Sequence, residues 1–214
     1  MKLIAKSMNK SIKGKKILND ISLEMESGNI YGFWGRNGAG KTMLFRALSG
    51  LMKIDSGAIY LDEQELHKNF AVLPSQGIVL EHSGLYPGMT GMENLLYLAG
   101  LKGLIGKEEV CEAIKRVGLD PEDKRSYGKY SMGMKQRLAI AQAIMEKPDV
   151  IMLDEPTNGL DEMGVEEIRK LIIQEKERGA LILLASHNKD DMRILADYMY
   201  RITDGCLAEM EEEK

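Results

Sequence analysis

The sequence predicts an α/β fold. A mainly parallel sheet carries helices on both faces, an antiparallel β unit stands at the N-terminus, and a helical segment is inserted between them. Three observations lead there. "DVIMLDEP" and "ALILLASH" are near-continuous apolar runs separated by the amphipathic "EMGVEEIRKLIIQEKERG", and uniformly apolar strands alternating with helices belong to a parallel sheet buried on both sides. The first third reads as strands, and the middle third is helical in period with no convincing strand between its helices.

Taken in order, "KLIAKSM" and "KILNDISLEM" flank the basic, glycine-containing turn "KSIKGK" and predict an antiparallel pair. "NIYGFWG" is a short apolar strand that runs into a glycine loop. Residues 41–51 have helical spacing and stop near Gly50. "GAIYLDEQ" is a further strand, introduced by the turn "DSG". Helices follow in "ENLLYLAGLKGL", "KEEVCEAIKRVGL" and "SMGMKQRLAIAQAIMEK". After the two apolar strands, "DDMRILADYMY" is a helix candidate. "YMYRITDGCLAEM" holds an Asp204-Gly205 hairpin turn, so part of it is strand.

With 214 residues, 44% of them hydrophobic, the chain can bury a substantial core as one domain. A formal net charge of −4 gives no global attraction to nucleic acid. Cys111 and Cys206 lack a CxxC spacing or flanking histidines, and read as two reduced thiols rather than a disulfide or zinc site. No apolar run approaches the roughly 20 residues that span a bilayer, and the N-terminus lacks the apolar stretch of a signal peptide. Any membrane role is therefore expected to come through a partner.

"GRNGAGKT", Gly35 to Thr42, matches G-x-x-x-x-G-K-[ST] between an apolar strand and a helix. Glycines let backbone N–H groups converge on phosphate oxygens, and the helix N-terminus adds its dipole. Lys41 is placed to reach the β- and γ-phosphates, and the Thr42 hydroxyl to ligate Mg²⁺. "VIMLDEP" ends a buried strand with Asp154 and Glu155. Asp154 is a candidate Mg²⁺ ligand, and Glu155 a candidate general base that polarises the attacking water. Asp161 in "TNGLD" reads by itself as a turn acid or helix N-cap. His187 stands just past the second buried strand, on the edge where α/β sheets bind ligands, and is a candidate γ-phosphate contact.

These motifs, over essentially the whole chain and in this order, resemble the ATP-binding cassette (ABC) family, the nucleotide-hydrolysing subunits of ABC transporters. "GRNGAGKT" stands as Walker A, "YSMGMKQR" as the signature, "VIMLDE" as Walker B, "NGLD" as the D-loop and His187 as the switch histidine. The resemblance implies a P-loop NTPase core formed by residues 1–80 and 146–214, including the β subdomain. It places a helical subdomain with the signature at residues 81–145. It further implies ATP contacts from Gly35, Asn37, Gly38, Ala39, Gly40, Lys41, Thr42 and Met43. Ser131, Gly133 and Asp161 would act across a head-to-tail dimer, where a helix start reaches the ATP of the opposite subunit. Glu155, His187 and Lys41 are the implied catalytic residues, and Thr42, Glu81 and Asp154 the implied Mg²⁺ ligands.

The signature departs from the family's Leu-Ser-Gly-Gly-Gln, with Tyr130, Met132 and Met134 replacing Leu, the first Gly and Gln. Ser131 and Gly133 keep the hydroxyl and free N–H groups, and the variant is similar to those of peptide-antibiotic export and immunity systems. Glu81 stands where the family has a glutamine, with Gln76 as a competing assignment. Ile12 falls where the family often stacks an aromatic on adenine, so weak nucleobase preference is expected. The Tyr86-Pro87 region suits a groove for the membrane partner. The expected function is an ATPase at the inner face of the cell membrane. It would dimerise with itself or a paralogue on binding ATP, and would drive a transmembrane permease subunit of an exporter, the direction that the signature variant favours. The alternatives are a soluble ABC-type ATPase of DNA repair or translation, or a regulatory nucleotide binder. The former generally has a coiled-coil insertion or two cassettes, and this sequence has neither.

Overall fold

The computed structural model describes residues 1–80 and 84–209. β1 (Lys2–Ile12) and β2 (Lys15–Glu26) pair antiparallel through a two-residue turn at Lys13-Gly14, with Ile12 opposite Lys15. The strands therefore run further into the basic segment than the residue types alone predict. β3 (Ile30–Trp34) leads through the glycine loop into α1 (Lys41–Leu48). β4 (Ser56–Leu61) and β5 (Gln64–Glu65) complete a four-stranded antiparallel sheet in the order β2-β1-β4-β5.

β6 (Gln76–Val79) precedes three helices, α2 (Gly91–Lys102), α3 (Lys107–Arg116) and α4 (Met132–Ile144), which pack on one another. β7 (Val150–Asp154), α5 (Glu162–Glu177), β8 (Leu181–Ser186), α6 (Lys189–Leu195), β9 (Tyr198–Thr203) and β10 (Cys206–Glu209) follow. The six-stranded sheet has the order β10-β9-β3-β8-β7-β6, parallel throughout except for the β9–β10 hairpin. That hairpin turns on Asp204 (φ 50°) and Gly205 (φ 75°), the positive pair that a two-residue loop needs.

The central strands are apolar on both faces because both are covered. Ile151, Leu153, Ile182 and Leu184 face one core with α4 and α5, while Val150, Met152, Leu181 and Leu183 face another with α1, β1 and β2. Each fully buried Leu or Ile contributes about 1.5–3 kcal/mol. β5 and β6 fall outside the sequence pattern. β6 is four residues long and contains Gly77, where a Cβ would stand 1.8 Å from the Ala143 carbonyl oxygen. The glycine breaks the apolar run but lets α4 lie directly on the sheet.

Candidate functional site

The C-terminal ends of β3, β7 and β8 point the same way, because the strands are parallel. They deliver the glycine loop, Asp154-Glu155 and His187 to one cleft of about 520 Å³. Asn37, Gly38, Gly40, Lys41, Thr42 and Met43 line it from the loop and α1. Gly40 precedes the first turn of α1 at φ 113°, a conformation strained for any residue with a Cβ, so the helix N-terminus opens directly into the loop. Gly35 and Ala39 shape the loop rather than line the cleft. The Gly35 carbonyl accepts a 2.7 Å bond from Lys41 Nζ, and Ala39 is tied through its carbonyl to Gly205 N.

Lys41 is only 6% exposed and its ammonium lies 3.5 Å from Glu155 Oε1. The Thr42 hydroxyl donates to Asp154 Oδ2, joining α1 to the end of β7. The Glu155 carboxylate accepts from the His187 backbone N–H (3.1 Å) and from Ser186 Oγ (3.3 Å), and lies 2.8 Å from His187 Nδ1. Glu155 has φ 51°, in the left-handed region, which costs a non-glycine residue about 1–2 kcal/mol. The strain is held by these contacts, by Glu155 N donating to Ala185 O (2.8 Å), and by Gln136 Nε2 donating to the Glu155 and Pro156 carbonyls (3.2 Å each).

The segment after Glu155 is anchored from below. Thr157 Oγ1 donates to Asp191 Oδ2 (2.5 Å), and Arg169 donates to Asp191 Oδ1 through Nε (2.9 Å) and Nη2 (2.7 Å), all around a fully buried carboxylate. Loss of one partner of such a buried pair costs about 3–5 kcal/mol. The network ties the turn after β7 to α5 and α6.

Thr42 and Asp154 offer hydroxyl and carboxylate oxygens in direct contact, with no thiol or imidazole between them, which fits a hard divalent cation. Among the described residues no group of three His, Cys, Asp or Glu side chains forms a cage. The hydroxyl–carboxylate pair of Thr42 and Asp154 is of the kind that fits Mg²⁺, which takes one or two protein oxygens and completes its shell with phosphate and water.

Three sequence-predicted residues stand elsewhere, and a fourth, Glu81, cannot be placed among the described residues. Ser131 is the exposed N-cap of α4, its Oγ accepting from Met134 N (3.2 Å). Gly133 packs against Gly159, whose carbonyl oxygen would stand 3.1 Å from an added Cβ. Asp161 caps α5 by accepting from Gly164 N (3.0 Å) and does not line the cleft. Glu81 lies outside the described residues; Leu80, just before it, borders the cleft. Its competitor Gln76 is ruled out by strand direction. Gln76 opens β6 opposite Val150, at the far end of the sheet from Asp154, and its amide donates to Ser49 O (3.2 Å).

Sequence reasoning missed Gln136, Asn158, Arg36, Arg46 and Ile17, which also line the cleft. It also assigned Met132 no part there. Met132 lines the cleft and lies over Gly159, four residues from Gln136 on the same helix face, a spacing that was the available signal. Tyr130 is core: burial pushes its phenol up from the ordinary value, and its hydroxyl lies over Gly91.

Residues 18–158 match the family model described as ABC transporter. The chain is 42% identical over 206 residues to an uncharacterized ABC transporter ATP-binding protein, YybJ, of Bacillus subtilis (strain 168), covering 96% of this chain and 94% of the relative. It is 41% identical over 204 residues to the bacitracin transport ATP-binding protein BcrA of Bacillus licheniformis, covering 94% of this chain and 67% of the relative. In fold it is similar to the ABC transporter cassette MJ0796, with a TM-score of 0.86 at 22% identity over 98% of this chain and 99% of that one. The chain belongs to the ABC transporter family, as one of its ATP-binding and ATP-hydrolysing subunits.

Proposed function

We propose that this chain is the motor subunit of an exporter of the peptide-antibiotic type, bound to the inner face of the membrane through a permease. The convergence of Lys41, Thr42, Asp154, Glu155 and His187 carries the catalytic part of the reading. The relative named for bacitracin transport supports the substrate class. No helix among the described residues is long and apolar enough to cross a membrane, so a separate spanning partner fits. Two copies, or this chain and a paralogue, close head to tail around two ATP.

In that reading Lys41 and the α1 N-terminus hold the phosphates. Thr42 and Asp154 hold Mg²⁺, with Glu81 as a further candidate, and the bound ion would neutralise charge on the β- and γ-phosphate oxygens. Glu155 accepts the proton of the attacking water, and His187 fixes its carboxylate and faces the γ-phosphate. Ser131 and Gly133 present the α4 N-terminus, and Asp161 its neighbouring turn, to the nucleotide of the second copy. Purified with its permease in proteoliposomes, the chain is expected to hydrolyse ATP faster when a bacitracin-class peptide is added. Turnover that needs no membrane partner and ignores such peptides would overturn the exporter reading.

The nucleobase should be read weakly. With the γ-phosphate toward Glu155 and His187, the base points to the opposite end of the loop. There Ile17 lies beside Gly40, its carbonyl oxygen 3.1 Å from a Cβ built on that glycine. No aromatic lines the cleft among the described residues, and Ile12 is 40% exposed. A stacked base is worth about 1–3 kcal/mol. The kcat/KM values for ATP and GTP are therefore expected to agree within about tenfold, and Ile12→Tyr to lower the KM for ATP. A preference for ATP above a hundredfold in the unaltered chain would show that another group reads the base.

A further inference from the structure

We propose that Gln136 is a positioning residue for Glu155, setting the direction in which the general base points. The inference rests on the reading of Glu155 as that base. Glu155 is followed by Pro156, which has no N–H, so the peptide joining them offers only its carbonyl oxygen as a handle. That oxygen accepts from the backbone N–H of Asn158 (3.2 Å) and from Gln136 Nε2 (3.2 Å), and the same amide nitrogen reaches Pro156 O at 3.2 Å. One side-chain amide thus spans two successive carbonyls whose dipoles would otherwise repel.

The residue being held is the one that needs it. Glu155 sits at φ 51°, and from that backbone its side chain points between Lys41 and His187. A left-handed glutamate relaxes unless its flanking peptides are pinned on both sides. Ala185 O pins the peptide before it, and Gln136 is the side chain that pins the one after it. Gln136 also stands on α4, whose first turn is capped by Ser131. The helix is a rigid strut, so a displacement at Ser131 is delivered to the backbone of the base. The general base and the signature cap are thereby mechanically joined within one chain.

The test compares Gln136→Met, which keeps the size but loses the donor, with Gln136→Asn, one methylene too short, and Gln136→Lys, a donor of similar reach. Met and Asn are expected to lower kcat about tenfold or more, with the KM for Mg-ATP and the melting temperature nearly unchanged, while Lys recovers most of the rate. In a Glu155→Gln background, Gln136→Met should cause no further loss of residual turnover, because the group it positions is gone. Equal losses with and without Glu155, or a loss carried by KM or melting temperature, would assign Gln136 a different role and overturn the proposal. Normal kcat in Gln136→Met beside an inactive Glu155→Gln would sink the positioning role alone. An active Glu155→Gln would sink the base assignment and this inference together.

Discussion

Glu155→Gln is expected to reduce ATP turnover by about 10²- to 10⁴-fold, the range over which a positioned general base accelerates proton transfer. Glutamine is isosteric and keeps a carbonyl oxygen for the His187 N–H and the Ser186 hydroxyl. It cannot take the water's proton. Nucleotide binding should survive and even tighten, for an electrostatic reason. Glu155 places a negative charge 3.5 Å from Lys41 Nζ, on the side where an anionic triphosphate must approach. Neutralising it removes both a competitor for Lys41 and a repulsion against the γ-phosphate. Trp34 gives a direct readout. It is the one tryptophan in the chain, it immediately precedes the loop, and Lys189 Nζ and Arg201 Cζ lie 5.7 and 5.5 Å from its ring centroid. Titration of its fluorescence with Mg-ATP, beside single-turnover phosphate release, separates binding from chemistry. Near-normal release would remove Glu155 from the role.

The parts of this fold that can be read from residues are those with a strong local reason. β7 and β8 are buried at every position and apolar up to their last residue because both faces of the sheet are covered, and no solvated strand has that pattern. The loop at Gly35–Thr42 is legible because phosphate binding demands glycine where other residues clash. What escapes is fixed by packing between distant segments. β6 is hidden by Gly77, whose reason is the close passage of α4. Gln76 stayed a competitor of the aligned Glu81 until strand pairing put Gln76 at the wrong end of the sheet. Gln136 looks like an ordinary helix glutamine; its task is set by carbonyls twenty residues away in sequence. Asp154 and Glu155 were legible for the opposite reason, since an acid pair ending an otherwise apolar strand has few structural uses.

Ser131→Arg is expected to abolish ATP-driven dimerisation and, with it, most of the ATPase activity, while ATP binding to the chain's own loop stays intact. Ser131 is exposed and capped onto α4, and it does not line the cleft of its own chain. A hydroxyl at an outward-facing helix start can act on a phosphate only if that phosphate belongs to another copy. Arginine adds a long side chain at the joint and removes the cap, which alone costs about 0.5–2 kcal/mol. Two controls separate these effects. Ser131→Gly costs the cap only a few tenths of a kcal/mol, so any loss of dimerisation in that variant reports the hydroxyl itself. Met132→Gly should retain dimerisation and turnover, because the methionine is 65% exposed and touches Gly159 rather than a polar group of the cleft. It should still lower the melting temperature slightly, since it removes the side chain that lies over Gly159 and frees the backbone at the first residue of α4. The comparison is best made by sedimentation with Mg-ATP in the Glu155→Gln background, where slow turnover preserves the closed pair. A dimer of unaltered strength in Ser131→Arg would mean that the α4 N-terminus faces no nucleotide, and the head-to-tail arrangement would fail with it.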